Sequence, residues 1–345
     1  MKFSVIIAMY NISSYIEECV ESLIGQSYGD FEAILVDDFS SDDTATRAKQ
    51  AIANDNRFAL CSLKENSGQS IARNKALDMA KGQYVLFLDG DDYFELDALE
   101  KLAIRLDAQN LDCLYYSARP YYESSEARKR MHESYADRES FDGVATGRQL
   151  FTFFEQHNQF YPHGALQVVR RSIIEDNKIR LVPGIIHEDI LYTFQILINS
   201  KRSSFLNDAI YIRRIRCGST MNSQRRTIAN IAGHLLCTKY MENWLYENLD
   251  SLDDDFAAAV SMRIAAYRNL CVRDWVTDIP SDEKGEFLDS LSCEDKQDFF
   301  IRVLGPGLEF LRNENCIHST KAFRIGDMLL KGPRLVKAAI CQKNG

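Results

Sequence analysis

Four short apolar runs, at residues 3–8, 31–36, 58–63 and 84–88, punctuate the first 110 residues of this chain. Stretches with helical spacing separate them. Residues 13–25 place Ile16, Val20, Leu23 and Ile24 on one face. A second helix follows Ser40 or Ser41 as its cap, and a third spans 71–80 and is closed by Gly82. Apolar runs of this length read as buried strands. Their alternation with helices predicts an α/β fold with a mostly parallel, Rossmann-like sheet and helices on both faces. Beyond residue 110 the pattern is less regular: strands are expected at 112–117, 166–169 and 210–215, and a helix at 187–199. After about Gly218 the spacing turns helical, over 228–248, 255–275 and 295–304. The expected organisation is an α/β domain over 1–217, a helical region over 218–317 and a tail over 318–345.

Composition narrows the function. Hydrophobic residues make up 46% of the chain and charged residues 26%, enough apolar content for a large core. The net charge of −9 argues against general nucleic-acid binding. No apolar run has the length of a bilayer span, and the apolar stretch at the start is too short for a secretory signal. The nine cysteines are scattered without a Cys-x-x-Cys pair, which suits reduced thiols in a cytoplasmic protein rather than a zinc site or a disulfide framework. The tail reverses the charge balance, with Lys321, Arg324, Lys331, Arg334, Lys337 and Lys343 against Asp327 alone. Interleaved apolar residues make it amphipathic, as in a segment that lies on an anionic inner leaflet. A C-terminal helix packed on the body, with its basic face in water, fits the same pattern.

Five pieces carry the chemistry. Tyr10 follows the first strand and Asp37-Asp38 the second, so both should stand at the carboxyl edge of the sheet, where open α/β folds bind ligands. There a carboxylate can accept hydrogen bonds from a base or sugar and a ring can pack on a base; an ordinary turn would also favour Asp and Ser. Residues 66–74 combine a Gly68 turn with Arg73 at the start of a helix, a natural anion site or an exposed helical arginine. The fourth strand ends in Asp89-Gly90-Asp91-Asp92. Three like charges so close repel unless a cation sits among them, and hard carboxylate oxygens suit Mg2+ or Mn2+ carrying a phosphorylated ligand. A calcium loop of the helix–loop–helix type does not fit, because the alternate acids and terminal Glu are missing. Glu188-Asp189 opens a helix, where acids satisfy the dipole or supply a general base. Arg213, Arg214 and Arg216 lie close together in a strand, suited to a departing diphosphate or to a solvated basic edge.

In this order the pieces resemble the family-2 glycosyltransferases of GT-A fold. The residues that carry the resemblance run from Ser4 to Asn11, Ile34 to Thr44, Asn66 to Asn74 and Gly82 to Asp92, with Glu188-Asp189 and Phe194. It departs at Ala8-Met9, where the family often has Pro-Val or a small polar residue. The resemblance implies a nucleotide-sugar donor with UDP as the carrier, a hydroxyl acceptor on a glycan or lipid-linked glycan, inversion at the anomeric carbon, and Mn2+ or Mg2+. It implies that Tyr10 and Asp38 hold the nucleobase with help from Asp37. Arg73 and Asp89 would bind the donor, and Asp91 and Asp92 the metal. Asp189 would be the base, with Glu188 beside it, and Arg213/Arg214 would close over the diphosphate. It also implies surface-polysaccharide synthesis at the cytoplasmic side of the inner membrane. A nucleotidyltransferase would favour a Gly-rich basic loop after the first strand. Residues 8–13 have neither Gly nor a basic side chain. A catalytically silent scaffold would have no need of all five acids.

Overall fold

The computed structural model describes residues 1–130, 138–141, 143–216, 226–292, 296, 299 and 300. The chain forms two compact units. The first comprises Met1–Gly184, Glu188–Asn222 and Asp254–Ala259; the second comprises Ile185–His187, Ser223–Asp253 and the chain from Val260 onward.

The first unit begins with β1 (Phe3–Met9), α1 (Ile16–Ile24), β2 (Phe31–Asp37), α2 (Thr44–Ile52), β3 (Phe58–Ser62), α3 (Gln69–Met79) and β4 (Tyr84–Phe87). It continues through β5 (Tyr93–Phe94), α4 (Ala98–Gln109), β6 (Cys113–Tyr122), α5 (Ser125–Arg130), α6 (Gly147–Gln156), β7 (Gln167–Arg170), α7 (Arg171–Asp176), α8 (Glu188–Asn199) and β8 (Ser203–Ile215). The strands form one eight-stranded sheet in the order β3-β2-β1-β4-β7-β6-β8-β5. β1 is buried almost throughout, as a strand covered on both faces must be, and pairs in parallel with both β2 and β4. The chain runs from β1 outward to β3 and then returns to the other side of β1 at β4. That reversal is a topological switch point, and it opens a crevice at the carboxyl ends of β1, β2 and β4.

The expectation of a mostly parallel sheet holds, with β7 and β5 as the two strands that run against the rest. β7 runs antiparallel to both β4 and β6, and β5 antiparallel to β8, while β6 and β8 pair in parallel. The sheet is therefore mixed. Two local expectations change. Helix α1 starts at Ile16 rather than Ser13, because Asn11 takes a left-handed φ of 50° and the following amides turn to the next loop: Ile12 N–H donates to Thr44 Oγ1 and Ser13 N–H to Asp42 Oδ2. The expected cap of α2 is absent for the same reason. Ser40 Oγ accepts from Asn11 N–H and Ser41 N–H donates to Asn11 Oδ1, so the two serines clip loops together while Asp43 stands at the cap position. Gly82 does not close α3, which ends at Met79. A Cβ at Gly82 would lie 2.5 Å from the β1 backbone, so the residue serves a close approach.

The second unit contains α9 (Ile228–Asn248), most of α10 (Asp254–Thr277) and α11 (Ser281–Ser290). Ile231, Cys271, Val272, Trp275, Ile279 and Phe299 form its buried core. The helix expected over 295–304 falls largely outside the described residues, and the basic tail after 318 falls wholly outside them. Among the described residues no helix is long and apolar enough to cross a membrane.

Candidate active site

The parallel strands deliver the first residues. Met9 and Asp37 are in register, so the loops after β1 and β2 leave the sheet side by side. Tyr10 on the first loop is 48% exposed, and Phe39 on the second, at φ 61°, is 57% exposed. Two large rings held in water at a sheet edge offer faces for a flat ligand. Asp37 is buried. Its Oδ2 accepts from Ser40 N–H at 3.3 Å, while Oδ1 is buried without a hydrogen-bond partner. A buried carboxylate oxygen left in that state costs free energy until a donor reaches it. Asp38 has the opposite character. Its two oxygens accept from Ser67 N–H at 2.7 Å and Gly68 N–H at 2.8 Å. It thereby fixes the turn at Gly68, whose φ of +89° suits a residue without Cβ, and so aims α3. Asp37 thus keeps an oxygen without a partner, while both Asp38 oxygens already accept a backbone amide.

Arg73, in the second turn of α3, is the centre of the site. Its side chain is 3% exposed and its guanidinium lies over the Phe87 ring, 5.0 Å from the centroid. Nη2 donates to Asp89 Oδ1 at 2.7 Å; Nη1 donates to Asp189 Oδ1 at 3.0 Å and to Glu188 Oε1 at 3.5 Å. Burial works against its charge, but Asp189, Asp89 and Glu188 outweigh burial and hold it firmly protonated. The same ion pair acts on Asp89: burial pulls its carboxyl up, yet Arg73 and the neighbouring positive groups keep it below the ordinary value.

The three acids after β4 divide into different roles. Asp89 faces Arg73, and its Oδ2 lies 3.9 Å from His163 Nε2. Asp91 Oδ2 accepts from Arg216 Nε at 3.1 Å and Nη2 at 2.9 Å. Asp92 turns inward and is buried. Its Oδ2 accepts from Tyr211 O–H at 2.6 Å and its Oδ1 from Arg214 N–H at 2.7 Å. Burial, then the charges of Asp91 and Asp89, push its carboxyl well above the usual range. Asp92 ties the acidic turn to β8. The repulsion among the three acids is already relieved by Arg73, Arg216 and Tyr211, so the turn does not by itself require a metal. It does fit one. Asp89 and Asp91 are partly exposed hard-oxygen groups. Among the described residues no cluster of three or more ligating side chains encloses an ion. One or two carboxylates, with the other positions taken by water and phosphate oxygens, is how Mg2+ is commonly held.

Glu188 and Asp189 open α8. A Cβ at residue 164 would stand 2.8 Å from Asp189 Oδ1 and 3.1 Å from Phe87, so Gly164 admits the carboxylate to Arg73. Glu188 is pushed up to about 7 by burial and then by the charge of Asp189. The folded value lies above the ordinary 4.5, so the stability this group contributes is present at low pH and is lost as pH rises through about 7. Glu188→Gln should therefore raise the melting temperature of the nucleotide-free, chelator-treated protein at pH 8 by about 2–4 °C and by much less at pH 5. Thermal scans at the two pH values check this, and equal shifts would contradict it.

The arginines of β8 also separate. Alternation along the strand turns Arg213 and Arg214 to opposite faces. The charge of Arg213 is felt at Asp89 and at His163. Arg214 is engaged elsewhere: with Glu18, with Glu123 at 3.4 Å and with the Asp91 carbonyl at 2.9 Å, over the rings of Tyr15, Tyr93 and Tyr121. The contact with the Asp91 carbonyl ties Arg214 to the acidic turn. Sequence reasoning missed Phe39, His163 and Gly164, and treated Arg216 only as part of a basic run. His163 sits among Asp89, Arg213, Asp189 and Arg73, and burial holds its imidazole below its ordinary value. No local pattern around residues 157–163 signals that position.

An arginine thus joins an acidic strand end to a second acid pair in the crevice of an α/β sheet. The comparisons give the family. A model described as glycosyl transferase family 2 matches residues 4–177, half of the chain, and the chain belongs to that family. It is 26% identical over 277 residues to glycosyltransferase GlyA of Streptococcus pneumoniae, covering 79% of this chain and 36% of the relative. It is 30% identical over 225 residues to the cholesterol galactosyltransferase of Borreliella burgdorferi, covering 64% and 62%. The chain thus spans less than two thirds of the length of these relatives. Among solved structures, residues 1–349 of Staphylococcus aureus TarS in complex with UDP-GlcNAc superpose with a TM-score of 0.65 at 22% identity, covering 96% of this chain and 92% of that one. A Pyrobaculum calidifontis mannosyltransferase in complex with GDP-Man and Mn2+ gives a TM-score of 0.56 at 15% identity, covering 98% and 86%. The fold is GT-A.

Proposed function

We propose that the chain is an inverting glycosyltransferase that moves a sugar from a UDP-sugar to a hydroxyl of a glycan or lipid-linked acceptor, in cell-surface polysaccharide synthesis. The observation that carries this reading is Arg73, one buried cation bonded both to Asp89 of the acidic turn and to Asp189 of the second acid pair. It holds a donor-binding group and a base in one cluster. The UDP-GlcNAc held by the TarS structure and the Mn2+ held by the mannosyltransferase support the choice of donor and ion class.

In this reading Asp37 Oδ1 accepts from the uracil imide, and Tyr10 with Phe39 covers the ring. Asp89 accepts from ribose or sugar hydroxyls. Asp91 holds Mn2+ or Mg2+, which when bound stabilises charge on the leaving UDP. Arg213 adds positive charge on the same face. Asp189, as a carboxylate, takes the proton from the acceptor hydroxyl while that oxygen attacks the anomeric carbon from the face opposite the leaving group, so configuration inverts. Arg73 fixes the orientation of Asp189 for that task. Glu188 lies beside it, its carboxyl pushed up to about 7 by burial and by the charge of Asp189. The protein would work at the cytoplasmic face of the inner membrane, with the basic tail as its contact to anionic lipid.

Incubation with UDP-GlcNAc, UDP-glucose, UDP-galactose and GDP-mannose in Mn2+ tests the class. Release of UDP from a UDP-sugar is the expected result. Pyrophosphate release from UTP and a sugar phosphate, with no UDP from any donor, would support a nucleotidyltransferase instead. The roles within the acidic turn are separable. Asp91→Asn should abolish the gain in UDP affinity that Mn2+ confers, whereas Asp92→Asn should retain that gain. Titration calorimetry with Mn2+ and with chelator checks both, and an unaltered Mn2+ effect in Asp91→Asn would remove the metal role.

A further inference from the structure

The tripeptide before the acid pair belongs to the helical unit, and it is gripped there. Ile185–His187 pack on one face of α9, formed by Asn230, Gly233, His234 and Cys237, at the i, i+3, i+4 and i+7 positions that share a helix face. All four are buried. A Cβ at Gly233 would fall 2.0 Å from the Ile186 carbonyl oxygen and 3.1 Å from its carbon, so the backbone of the tripeptide lies directly on the helix. The His187 and His234 rings stack at 4.0 Å with a 30° tilt. Asn230 Nδ2 lies 3.3 Å from His187 Nε2, while Asn230 Oδ1 accepts from Thr227 N–H and O–H at the helix start. Cys237 Sγ–H donates to the His187 carbonyl at 3.7 Å.

The backbone at this point is one that L-residues avoid. His187 has a φ of 73° without being glycine. Such a conformation costs on the order of 1 kcal/mol or more and persists only where the surroundings over-determine it. Here ring, carbonyl and preceding peptide are each held by α9. The next residue along the chain is Glu188, followed by Asp189. A fixed peptide at His187 fixes the direction in which the chain leaves toward both acids. A merely structural role in the helical unit would not call for a left-handed residue at this one position, because a stacking histidine can be carried on ordinary backbone.

We propose that the Asn230/Gly233/His234/Cys237 face of α9 is a positioning device that fixes the peptide at His187, the residue that leads directly into Glu188-Asp189. The inference rests on the reading of Asp189 as the base. His234 and Gly233 touch no donor group and act through the backbone of Ile186 and His187.

The test uses the full chain, UDP release from UDP-GlcNAc in Mn2+, and UDP affinity by calorimetry. Gly233→Ala should lower kcat by about 10–100-fold, the scale of a misplacement near 1 Å, with donor KM and UDP affinity near wild type. His234→Leu should do the same, and His234→Phe, which keeps a flat ring against His187, should restore kcat. Gly285→Ala on exposed α11, where a Cβ meets nothing within 4 Å, is the control and should change nothing. Unaltered kcat in both Gly233→Ala and His234→Leu, or a fall in kcat matched by loss of UDP affinity and not rescued by His234→Phe, would overturn the proposal. Asp189→Asn measured alongside separates the two claims: if it keeps turnover, the base assignment fails; if it loses turnover while the α9 variants do not, only the clamp fails. Amide hydrogen exchange over 185–192 needs no substrate. Faster exchange in Gly233→Ala is expected there, and unchanged protection counts against the clamp.

Discussion

Asp189→Asn is expected to lose about 10²–10⁴-fold in turnover while still binding UDP, the range that a positioned general base contributes. At 1.36 kcal/mol per decade this is about 3–5 kcal/mol of barrier. The substitution keeps the shape that Gly164 admits beside Phe87 and leaves an amide oxygen for Arg73. What it removes is the capacity to take a proton. The donor groups at Asp37 and the acidic turn are untouched, so UDP affinity measured by calorimetry should stay near wild type. Turnover that survives the change would move the base elsewhere, with Glu188 next to be tested.

Arg73→Ala should produce the largest loss of stability in the molecule, about 3–5 kcal/mol at pH 7, as expected when one partner of a buried charge cluster is removed. It strands Asp89, Glu188 and Asp189 without their shared cation. The pH dependence gives the signature. In the wild type, Asp89 is held below its ordinary value, so its contribution is present at neutral pH and fades in acid as pH falls through the folded value. In Arg73→Ala the burial that raises this carboxyl loses its largest opposing charge, so Asp89 should take up its proton at higher pH than in the wild type. Urea denaturation at pH 5 and pH 7.5 should show the gap between variant and wild type narrowing at pH 5. A gap that is constant across pH would mean that packing against Phe87, rather than charge, is what Arg73 supplies. Arg73→Lys should recover only part of the loss, because an ammonium lacks the planar fork that reaches acids on two sides.

The parallel half of the fold was legible because its signal is local: β1 is a nearly continuous buried run, and the helices between β1 and β4 carry clear apolar faces. The second half of the sheet hid its length. β6 runs on to Tyr122 through a polar stretch containing Pro120, and β8 begins at Ser203 but is interrupted by Asn207-Asp208. The β6–β8 register shifts around Ser117. Bulged strands with polar ends break the alternation that reveals a strand. In the site the acids were legible and their partners were not. Asp38 and Asp92 read as ligand groups because carboxylates at strand ends usually face outward; only the fold shows that each also accepts from backbone amides or a tyrosine hydroxyl. Arg73 meets residues 16 and 116 positions away, and no local spacing encodes such a contact.

The central claim, that the crevice at the carboxyl ends of β1, β2 and β4 is a UDP-sugar site with its metal on Asp91, is tested most directly by a crystal structure of the UDP–Mn2+ complex with anomalous data at the manganese edge. The account predicts the manganese peak on an Asp91 oxygen, with Asp92 still bonded to Tyr211, and the uracil imide on Asp37 Oδ1. A manganese peak away from Asp91, or a uracil that leaves Asp37 Oδ1 unbonded, would contradict it.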